Sequence, residues 1–408
     1  MHIMRGMDSE FIDLIYLDPP FNSNHHYSAP IGSEAVGASF KDTWTLDDTN
    51  DAWWGEIADK HLALYSVIDA IGAVSGKSGK GYAIYMAIRL LEMHRILKPT
   101  GSLYLHCDPT MSHSLKLILD AIFGIENFRN EIIWHYGGRG AKAIAQQFAR
   151  NHDTILFYGK SQEAKFERQY YTKKIPFKES NYRLDSEGRC FRTSPRGAYT
   201  DKSIKKLETE GRIFITNNGN IRIKYFEKFD GEYVYEKKLV GGTWNDLPDM
   251  MHVSKLEKTG YPTQKPLALL QRIIQASSNK GDIVFDPFCG CATTCIAAEN
   301  LNRGWIGIDI SPISFELIKR HAQNYMGLFG LNIIHRNDMP IRGTMKREKN
   351  IKHILFGKQK GACKGCKISF PFRNLTLYST TPSSHDGTDT NENLQLLCGA
   401  CKSNITRI

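Results

Sequence analysis

The sequence predicts an α/β protein with a parallel sheet, an irregular or β-rich insertion, and a small zinc-binding module at the C-terminus. Strand and helix signals alternate in two separate blocks of the 408-residue chain, as in proteins that build a parallel sheet from strand–helix units. The alternation is lost in the insertion, over residues 161–250. Two Cys-x-x-Cys pairs near the C-terminus have the spacing of a zinc site.

The first strand signal is a short apolar run at residues 14–17, rich in β-forming side chains and closed by a proline pair. Asp18 follows this run directly, and Pro19, Pro20 and Phe21 come next. Ligands bind at the carboxyl ends of the strands in open α/β sheets, so Asp18 is a candidate functional carboxylate. The alternative is a plain exit from the strand with an Asp turn, which four residues alone do not exclude.

The rest of the first block continues the α/β rhythm. Residues 83–108 combine a helix with apolar positions at i, i+3 and i+4, a Pro-Thr-Gly turn, and a strand that ends in Asp108. Residues 114–124 predict a second helix ended by a glycine, and residues 131–136 and 153–159 predict two more strands. The first block therefore supplies several strands to the predicted sheet.

The charge of the chain is uneven along its length. The formal net charge is +10 and the pI is near 9.0. Residues 161–240 hold 18 Lys and Arg against 12 Asp and Glu, interleaved with 13 aromatic residues, and residues 339–408 hold 12 against 4. Two basic regions, one of them rich in side chains that can stack, indicate a polyanionic partner. A solvated basic surface is the alternative.

The second block predicts, in order, a helix, a strand, a helix and a strand, at residues 261–278, 282–288, 292–301 and 304–310. Asp286 ends the first of these strands, and a tight turn around Gly290 leads through small residues into the next helix. Asp309 ends the following strand about twenty residues later, at the spacing of a carboxylate that binds ribose hydroxyls. The turn is neither GxGxxG nor GxxxxGK[ST], so an adenosyl ligand without phosphates fits it better than a pyrophosphate.

Nine cysteines are expected to be thiols or metal ligands. Thirty-one residues separate the two Cys-x-x-Cys pairs, which predict a structural zinc site with the ligands Cys363, Cys366, Cys398 and Cys401. Reduced bystander thiols are the alternative. Three cysteines lie beside the tight turn around Gly290, which we call the cofactor turn. They lack such pairing and are expected to be small buried packing residues: Cys289, Cys291 and Cys295.

The composition excludes a membrane protein. Apolar residues make up 41% and charged residues 24%, and no window approaches the roughly 18 apolar residues of a membrane span. The N-terminal segment MHIMRGMDSEF has no apolar signal-peptide core. We therefore expect the protein in a reducing cytoplasm.

Taken together, these segments resemble S-adenosylmethionine-dependent DNA amino-methyltransferases of the permuted β class, in which a D-P-P-[FY] tetrad precedes the cofactor turn. The matching segments are DLIYLDPPFNS, LLEMHRILKPTGSLYLHCD, HDTILFYGK, GGTWNDLP, YPTQKP and DPFCGCATT, in the family's order across about residues 8–325. The resemblance implies a Rossmann-like methyltransferase sheet that transfers a methyl group from S-adenosylmethionine to the exocyclic amine of a flipped DNA base.

The resemblance also implies roles for the tetrad. Methylation of an exocyclic amine is difficult because the nitrogen lone pair is delocalised into the ring. Asp18 and the carbonyl of Pro19 would accept hydrogen bonds from the two N–H groups and favour a tetrahedral nitrogen. Pro20 completes the tetrad, and Phe21 offers a flat apolar face on which the flipped base can stack.

The resemblance further implies that seven residues bind the cofactor. Asp286, Phe288 and Gly290 would form the turn around the methionine and adenosine, Asp309 would hold the ribose, and Thr263, Gln264 and Lys265 would close the pocket. Two features depart from the family pattern. Ala292 occupies the third small position of the turn, where many relatives carry Gly, and the chain opens without the strand bearing Gly-Asp-Asn with which relatives usually begin.

The segment around the four zinc-ligand cysteines resembles an HNH-type endonuclease module, a ββα fold built around zinc. Members that cut DNA carry an Asp-His pair after the first strand, where this chain has Tyr378 and Ser379. A nuclease needs that histidine as general base and the acid to hold a catalytic metal. His385 lies in a nearby loop and is not expected to replace them, whereas Asn393 remains at the later motif position. We therefore expect a module that binds DNA without cutting it.

Adenine N6 is the expected target atom, because the cytosine-N4 enzymes of the class more often begin the tetrad with Ser. Three alternatives remain open: a cytosine-N4 DNA methyltransferase, an RNA or protein methyltransferase, and a non-catalytic DNA-binding relic. The expected partners are DNA and, as an open option, a second copy of the chain in a homodimer. The predicted domains are the catalytic half, the target-recognition insertion, the cofactor half, a linker and the HNH-like module, at residues 1–160, 161–250, 251–338, 339–350 and 351–408.

Overall fold

The computed structural model describes residues 1–22, 25–30, 32–33, 35–36, 39–44, 51–136, 146, 148, 150–326, 336, 340, 355, 359, 362–368, 370, 374–379 and 394–405. The first part of the chain contains α1 (His2–Gly6), β1 (Ile12–Leu17), β2 (His25–Ser28), β3 (Ser39–Asp42), α2 (Asp51–Lys60), α3 (Leu62–Ile96), β4 (Leu97–Cys107), α4 (Ser112–Phe123), β5 (Phe128–His135) and β6 (His152–Gly159).

The middle part contains β7 (Tyr170–Pro176), β8 (Arg183–Leu184), β9 (Cys190–Pro195), α5 (Asp201–Thr209), β10 (Ile213–Ile215), β11 (Ile221–Phe226), β12 (Lys228–Phe229) and β13 (Tyr233–Leu239). The last part contains β14 (Thr243–Trp244), α6 (Leu267–Ser277), β15 (Ile283–Asp286), α7 (Thr293–Asn300), β16 (Gly304–Gly307), α8 (Pro312–Met326), β17 (Leu375–Ser379), β18 (Leu394–Cys398) and α9 (Gly399–Ile405).

Seven strands form the main sheet, in the order β14-β5-β6-β4-β1-β15-β16. The pairs β4–β1, β1–β15, β15–β16 and β14–β5 are parallel, whereas β6 runs antiparallel to both of its neighbours. All six residues of β1 are buried, so the predicted buried parallel strand is confirmed. The prediction of an α/β fold is confirmed as well.

The position of β1 determines where the site lies. Its neighbours on the two sides come from the two predicted blocks, with Leu17 paired to Leu105 on one side and Ile15 paired to Phe285 on the other. Because the three strands are parallel, their carboxyl ends meet at one edge of the sheet. Asp18 and Asp286 are therefore brought to the same edge, although they are far apart in the sequence.

The core of this sheet is apolar and continuous. Buried side chains of β1 and β4 pack against those of the long helix α3 and of α4. Helix α3 is interrupted at Gly76, which has φ 70° and ψ −166°. Helix α3 begins at Leu62, well before the predicted start at residue 83. The prediction missed the earlier part because the residues between carry a less regular apolar pattern, rich in glycine and serine.

Two local predictions were wrong. The helix predicted over residues 261–278 begins only at Leu267, because Pro266 has an extended backbone and Thr263 has φ 63°. The turn predicted at Pro-Thr-Gly lies within β4 instead, where a register shift against β1 accommodates the extra residues between Leu97 and Ser102. Both differences leave the strands that carry the candidate residues in place.

Residues 168–241 form a compact unit of their own. One antiparallel sheet has the order β10-β11-β9-β8, and a second has the order β12-β13-β7. Ile204 and Leu207 of α5 pack against Ile223 of β11. The segment was predicted as irregular or β-rich, and the structure shows that it is β-rich.

The C-terminal part has a ββα arrangement. Strands β17 and β18 pair antiparallel, with Tyr378 opposite Gln395 and Ser379 opposite Leu394, and α9 follows β18 without a break. A small cluster of buried leucines surrounds Cys363 and Cys398. His385, Asn393 and nearly all of the predicted linker at 339–350 lie outside the described residues.

No helix within the described part of the chain is both long enough and apolar enough to cross a membrane.

Candidate active site

Asp18 lies directly after β1, and one lysine holds its carboxylate. Lys265 Nζ donates a hydrogen bond of 2.5 Å to Asp18 Oδ2 and another of 3.2 Å to the carbonyl oxygen of Thr263. The other carboxylate oxygen, Asp18 Oδ1, is buried and has no hydrogen-bond partner among the residues that the structure describes. A buried acceptor without a donor costs free energy, so this atom is suited to accept an N–H group of a ligand.

The turn after the tetrad is fixed by residues outside it. Asn22 has a left-handed backbone with φ 60°, and its N–H donates a 2.6 Å hydrogen bond to Asp42 Oδ1. Ser78 Oγ donates to Asn22 Oδ1 over 3.1 Å. These contacts anchor the chain just beyond Phe21, which is half-buried and whose ring centroid lies 5.5 Å from Lys265 Nζ.

A polar network that the sequence analysis missed lies behind Phe21. The His106 ring stacks against the Phe21 ring, with 6.0 Å between the centroids and 18° between the planes. His106 Nδ1 lies 3.0 Å from the Tyr16 hydroxyl, and His106 Nε2 lies 3.0 Å from Asp153 Oδ2. Burial alone would raise the pKa of Asp153, but the hydrogen bond from His106 and nearby positive charge, including that of Lys265, outweigh burial, and the pKa is lowered.

Asp286 ends β15, next to β1, and is almost fully buried, with 3% of its surface exposed. Its Oδ1 accepts a 3.0 Å hydrogen bond from the Phe288 N–H, and its Oδ2 accepts one of 2.6 Å from Thr294 Oγ1. Burial raises the pKa of Asp286 to about 7, more than these hydrogen bonds lower it, and the charges of Asp18 and Asp309 act in the same direction as burial.

The turn after β15 is narrow. Gly290 has φ 51°, and a Cβ atom at this position would lie 2.9 Å from Tyr261 Cε1. The Gly290 N–H donates a 2.8 Å hydrogen bond to Asp309 Oδ2, and the Ser311 N–H donates one of 2.7 Å to Asp309 Oδ1. Asp309 therefore joins the cofactor turn to the end of the next strand. Each of its oxygens keeps a lone pair for a ligand hydroxyl.

The loop before α6 places its three candidate residues in different surroundings. Gln264 Oε1 accepts hydrogen bonds from the Thr259 N–H and hydroxyl, and Gln264 Nε2 donates to the Glu257 carbonyl. Gln264 therefore shapes its own loop, while Lys265 reaches the carboxylate of the tetrad. The contact between Lys265 and Asp18 was not foreseen from the sequence. A cofactor role for Thr263, Gln264 and Lys265 stays a prediction.

The four cysteines of the C-terminal module converge. Their Sγ atoms all lie within 4.8 Å of one another, and Cys366 Sγ lies 3.9 Å from Cys398 Sγ. A tetrahedral zinc ion with Zn–S bonds of about 2.3 Å requires sulfur atoms roughly 3.8 Å apart. The Cys398 N–H also donates a 3.3 Å hydrogen bond to Cys363 Sγ, a type of contact that supports a metal-bound thiolate. The donor set fits zinc.

The sheet face of the unit at residues 168–241 that we call the basic aromatic face is formed by Arg183, Phe191, Phe214, Arg222, Lys224 and Phe226, of which Phe191 is buried. The opposite face of the same sheet is covered by α5. Lys224 Nζ lies 5.0 Å from the centroid of the Phe191 ring, and the Arg183 guanidinium lies 5.7 Å from that of Phe214. Cations held over aromatic rings can contact phosphates and stack on bases.

Sequence reasoning missed Tyr16, His106 and Asp153, although a signal was available. Tyr16, His106 and Asp153 each lie within two residues of the edge at which Asp18 sits, in β1, β4 and β6, and each is a polar side chain next to an apolar run of its strand. Polar residues at one end of several adjacent strands indicate a site. The antiparallel direction of β6, which brings the start of that strand to this edge, could not be read from the sequence.

A protein-family model described as DNA methylase matches residues 12–320 of the chain. The match spans β1 with its tetrad, the insertion and the cofactor turn, and it ends within α8.

Individual relatives have related names. The chain is 34% identical over 269 residues to the Type II methyltransferase M.EcaI of Enterobacter cloacae. This alignment covers 59% of this chain and 57% of that protein. It is 26% identical over 346 residues to the DNA adenine methyltransferase YhdJ of Escherichia coli (strain K12), covering 85% of each. The structural alignment with the solved M1.HpyAVI–SAM complex covers 76% of this chain and 89% of that chain, at 18% sequence identity and a TM-score of 0.37.

Proposed function

The chain belongs to the DNA methylase family, whose model matches residues 12–320, and from this membership we propose that it methylates DNA at specific sites. The methyl group would come from S-adenosylmethionine, and the acceptor would be the exocyclic amine of a base that is flipped out of the duplex. We take adenine N6 as the target, since one relative is named a DNA adenine methyltransferase and the tetrad begins with Asp.

The observation that carries this proposal is the state of the Asp18 carboxylate. Lys265 occupies Oδ2, and the buried Oδ1 has no partner within the described structure. A carboxylate oriented in this way accepts a hydrogen bond from an amino group and favours the tetrahedral nitrogen that attacks a methyl carbon. The Pro19 carbonyl is the proposed second acceptor, and Phe21 is the proposed stacking surface for the flipped base.

The residues of the cofactor turn suit S-adenosylmethionine, which supplies an electrophilic methyl group when it is bound. The narrow turn at Gly290 allows close approach of a ligand to the backbone, and Asp309 keeps acceptor capacity for ribose hydroxyls. Asp286 lies at the edge shared with Asp18, which would bring the cofactor and the target amine together. As the new N–C bond forms, the bond between the methyl carbon and the sulfonium sulfur would break and its electron pair would stay on the sulfur. One amine proton would be lost to solvent, and the N–H held by Asp18 would remain oriented.

The direct test is methyl transfer by the purified protein. Unmethylated phage DNA is incubated with radiolabelled S-adenosylmethionine, and the DNA is digested to nucleosides. We expect label in N6-methyladenine; label in N4-methylcytosine would favour the alternative target. Asp18→Ala should reduce transfer by on the order of 10²-fold or more while cofactor binding, measured by calorimetry, stays nearly unchanged. Transfer by this variant above about 10% of wild type would contradict the assignment.

We propose two accessory roles for the remaining parts of the chain. The unit at residues 168–241 would recognise the target sequence through its basic aromatic face. The C-terminal module would hold one structural zinc through its four cysteines and bind DNA without cutting it, because Tyr378 and Ser379 replace the acid and the base of a nuclease. The HNH-like identity of the module, the homodimer and the cytoplasmic location stay predictions.

A further inference from the structure

The Tyr16, His106 and Asp153 side chains lie together behind the tetrad, although none of them belongs to the tetrad or to the cofactor turn. They come from three strands that are neighbours in the sheet, β1, β4 and β6. His106 is fully buried, with 0% of its surface exposed, and both ring nitrogens have polar neighbours at 3.0 Å. We call these three residues the Tyr–His–Asp network.

The proton positions follow from the chemistry of the partners. Burial, followed by the charges of Asp18, Asp286 and Asp153, raises the pKa of Tyr16 well above its usual value, so Tyr16 is a neutral hydroxyl. The pKa of Asp153 is lowered, so Asp153 is a carboxylate that can only accept hydrogen bonds. His106 Nε2 therefore carries a proton for Asp153, and the Tyr16 hydroxyl is the partner of Nδ1. These two contacts on opposite sides of the imidazole fix the plane of the ring.

Among the described residues, three aromatic rings lie beside the fixed imidazole. The Tyr16 ring meets it edge-on, with 6.2 Å between centroids. The Phe21 plane is within 18° of the imidazole, and Trp134 meets the imidazole edge-on at 5.8 Å between centroids and 85° between planes. An apolar side chain would fill the same space without burying three polar groups, and burying them is costly unless every group is satisfied. The hydrogen bonds of the network therefore select one orientation of the His106 imidazole, and the Phe21 ring stacks on that imidazole.

We propose that the Tyr–His–Asp network is a positioning device that sets the plane of the Phe21 ring for stacking with the flipped base. His106, Tyr16 and Asp153 are positioning residues, because they act through Phe21. This inference rests on the proposed function, since a flipped base is what Phe21 would receive. It adds residues that the tetrad and the cofactor turn do not include.

Tyr16 and Tyr104 offer a matched pair for the test. They are register partners on β1 and β4, both fully buried, and each hydroxyl has one side-chain partner, His106 for Tyr16 and Ser277 for Tyr104. Replacement by Phe removes the same group from each. We expect Tyr16→Phe to slow methyl transfer about tenfold and Tyr104→Phe to change it less than twofold, with similar decreases in the melting temperature. Equal losses of transfer in both variants would overturn the proposal.

A double-mutant cycle tests whether the network acts through Phe21. His106→Gln should slow transfer at least tenfold in the wild-type background but less than threefold when Phe21 is already Leu. Cofactor affinity, measured by calorimetry, should be the same in all four proteins. Equal losses in the two backgrounds would show that His106 acts elsewhere, and the proposal would then be wrong.

A measurement without turnover keeps this inference separate from the proposed function. The protein is labelled with 4-fluorophenylalanine, and the fluorine signal of Phe21 is identified by its loss in Phe21→Leu. We expect this signal to shift or broaden in Tyr16→Phe and not in Tyr104→Phe. An unchanged signal in Tyr16→Phe would overturn the positioning role. If wild-type protein transfers no methyl group, the proposed function fails, and the fluorine spectrum still decides whether the network holds the ring.

Discussion

Two carboxylates at the same sheet edge have opposite surroundings. Among the residues that the structure describes, Asp18 is paired with a lysine and one of its oxygens has no hydrogen-bond partner, whereas the side chain of Asp286 is enclosed by its own turn and accepts hydrogen bonds from uncharged groups. This difference in surroundings matches the different roles proposed for the two carboxylates. A side chain that receives a target amine has to present an acceptor, while one that shapes a turn has to satisfy the backbone around it.

The enclosure of Asp286 predicts a pH dependence of stability. The folded-state pKa is raised to about 7 from the usual 3.8, so between these values the native protein holds a proton that the unfolded chain has released. The resulting stabilisation is full below about pH 4 and is lost as the pH rises through about 7. The free energy of unfolding of wild type minus that of Asp286→Asn should therefore fall by on the order of a few kcal/mol across this range.

Urea denaturation without cofactor, from pH 5 to pH 8, measures this difference. Asp153→Asn is the contrasting variant. Because the pKa of Asp153 is lowered from 3.8, its stabilisation is lost only as the pH falls below about 4, and its difference from wild type should stay constant from pH 5 to pH 8. A difference between wild type and Asp286→Asn that does not change with pH would contradict the account of Asp286.

At the residue level the sequence predicted the chemistry better than the contacts. Asp18 and Asp286 were placed correctly at strand ends, because a short apolar run followed by an acid is a local pattern. The ion pair between Asp18 and Lys265 joins residues 247 positions apart, and the imidazole behind Phe21 comes from another strand. Such contacts depend on strand order, which no local pattern contains.

Turns and short loops determine how the strand ends become a site. Strand β15 and helix α7 were predicted almost to the residue, since the apolar run and the small residues are both strong local signals. The loop before α6 was predicted as helix because the apolar residues that follow outweighed the signal of its prolines. The positive φ of Thr263 is visible only in the structure. That loop carries Lys265, so the error concealed the contact with Asp18.

The turn at Gly290 should not tolerate a side chain. Gly290→Ala would place a methyl group 2.9 Å from Tyr261 at a left-handed φ, whereas Gly219, also left-handed, has no atom within 4 Å of the same position among the described residues. Both substitutions cost roughly 1 to 2 kcal/mol in backbone strain. Only Gly290→Ala should also weaken S-adenosylmethionine binding, by tenfold or more in calorimetry. Equal affinities of the two variants would contradict the assigned role of the turn.

The basic aromatic face predicts a specific dependence of DNA binding on salt. Replacing both Arg183 and Lys224 by Gln should reduce the slope of log affinity against log salt by roughly two, since each lost phosphate contact contributes about 0.9. The matched control is Lys202→Gln with Lys205→Gln, which removes the same charge from the exposed side of α5. A slope that changes only in the control pair would assign DNA binding to another face of this unit.

Across the whole molecule, function depends on joining parts that are distant in the chain. The tetrad and the cofactor turn come from opposite ends of the matched region, and β1 places them side by side by pairing with both blocks. The block pattern predicted an α/β fold with a parallel sheet, and the observed sheet is parallel except for β6. The order of its strands, including the antiparallel β6, depends on packing between distant segments and could not be derived from periodicity.

The C-terminal module should hold one zinc ion per chain. Elemental analysis of purified protein is expected to find about one zinc, lost when Cys363 and Cys398 are both replaced by Ser, because removing two of four ligands opens the site. Cys190→Ser, a buried cysteine outside the cluster, is the control and should keep the metal. Zinc that survives the double substitution would place the ion elsewhere.

The same module should be inactive as a nuclease. Supercoiled plasmid incubated with the protein and magnesium or manganese should stay supercoiled, since loss of a general base costs roughly 10² to 10⁴ in rate. Reproducible metal-dependent nicking that disappears in His385→Ala would show that the loop supplies the missing base.

The central claim is that this chain methylates a base in DNA through Asp18. Sequencing that detects modified bases, applied to DNA from cells that express the wild-type chain or Asp18→Ala at equal levels, tests it most directly, because one readout gives the base, its position and the recognition sequence. We expect N6-methyladenine at one short sequence motif with the wild-type chain and none with Asp18→Ala. Unmodified DNA in both strains, or the same marks in both, would contradict it.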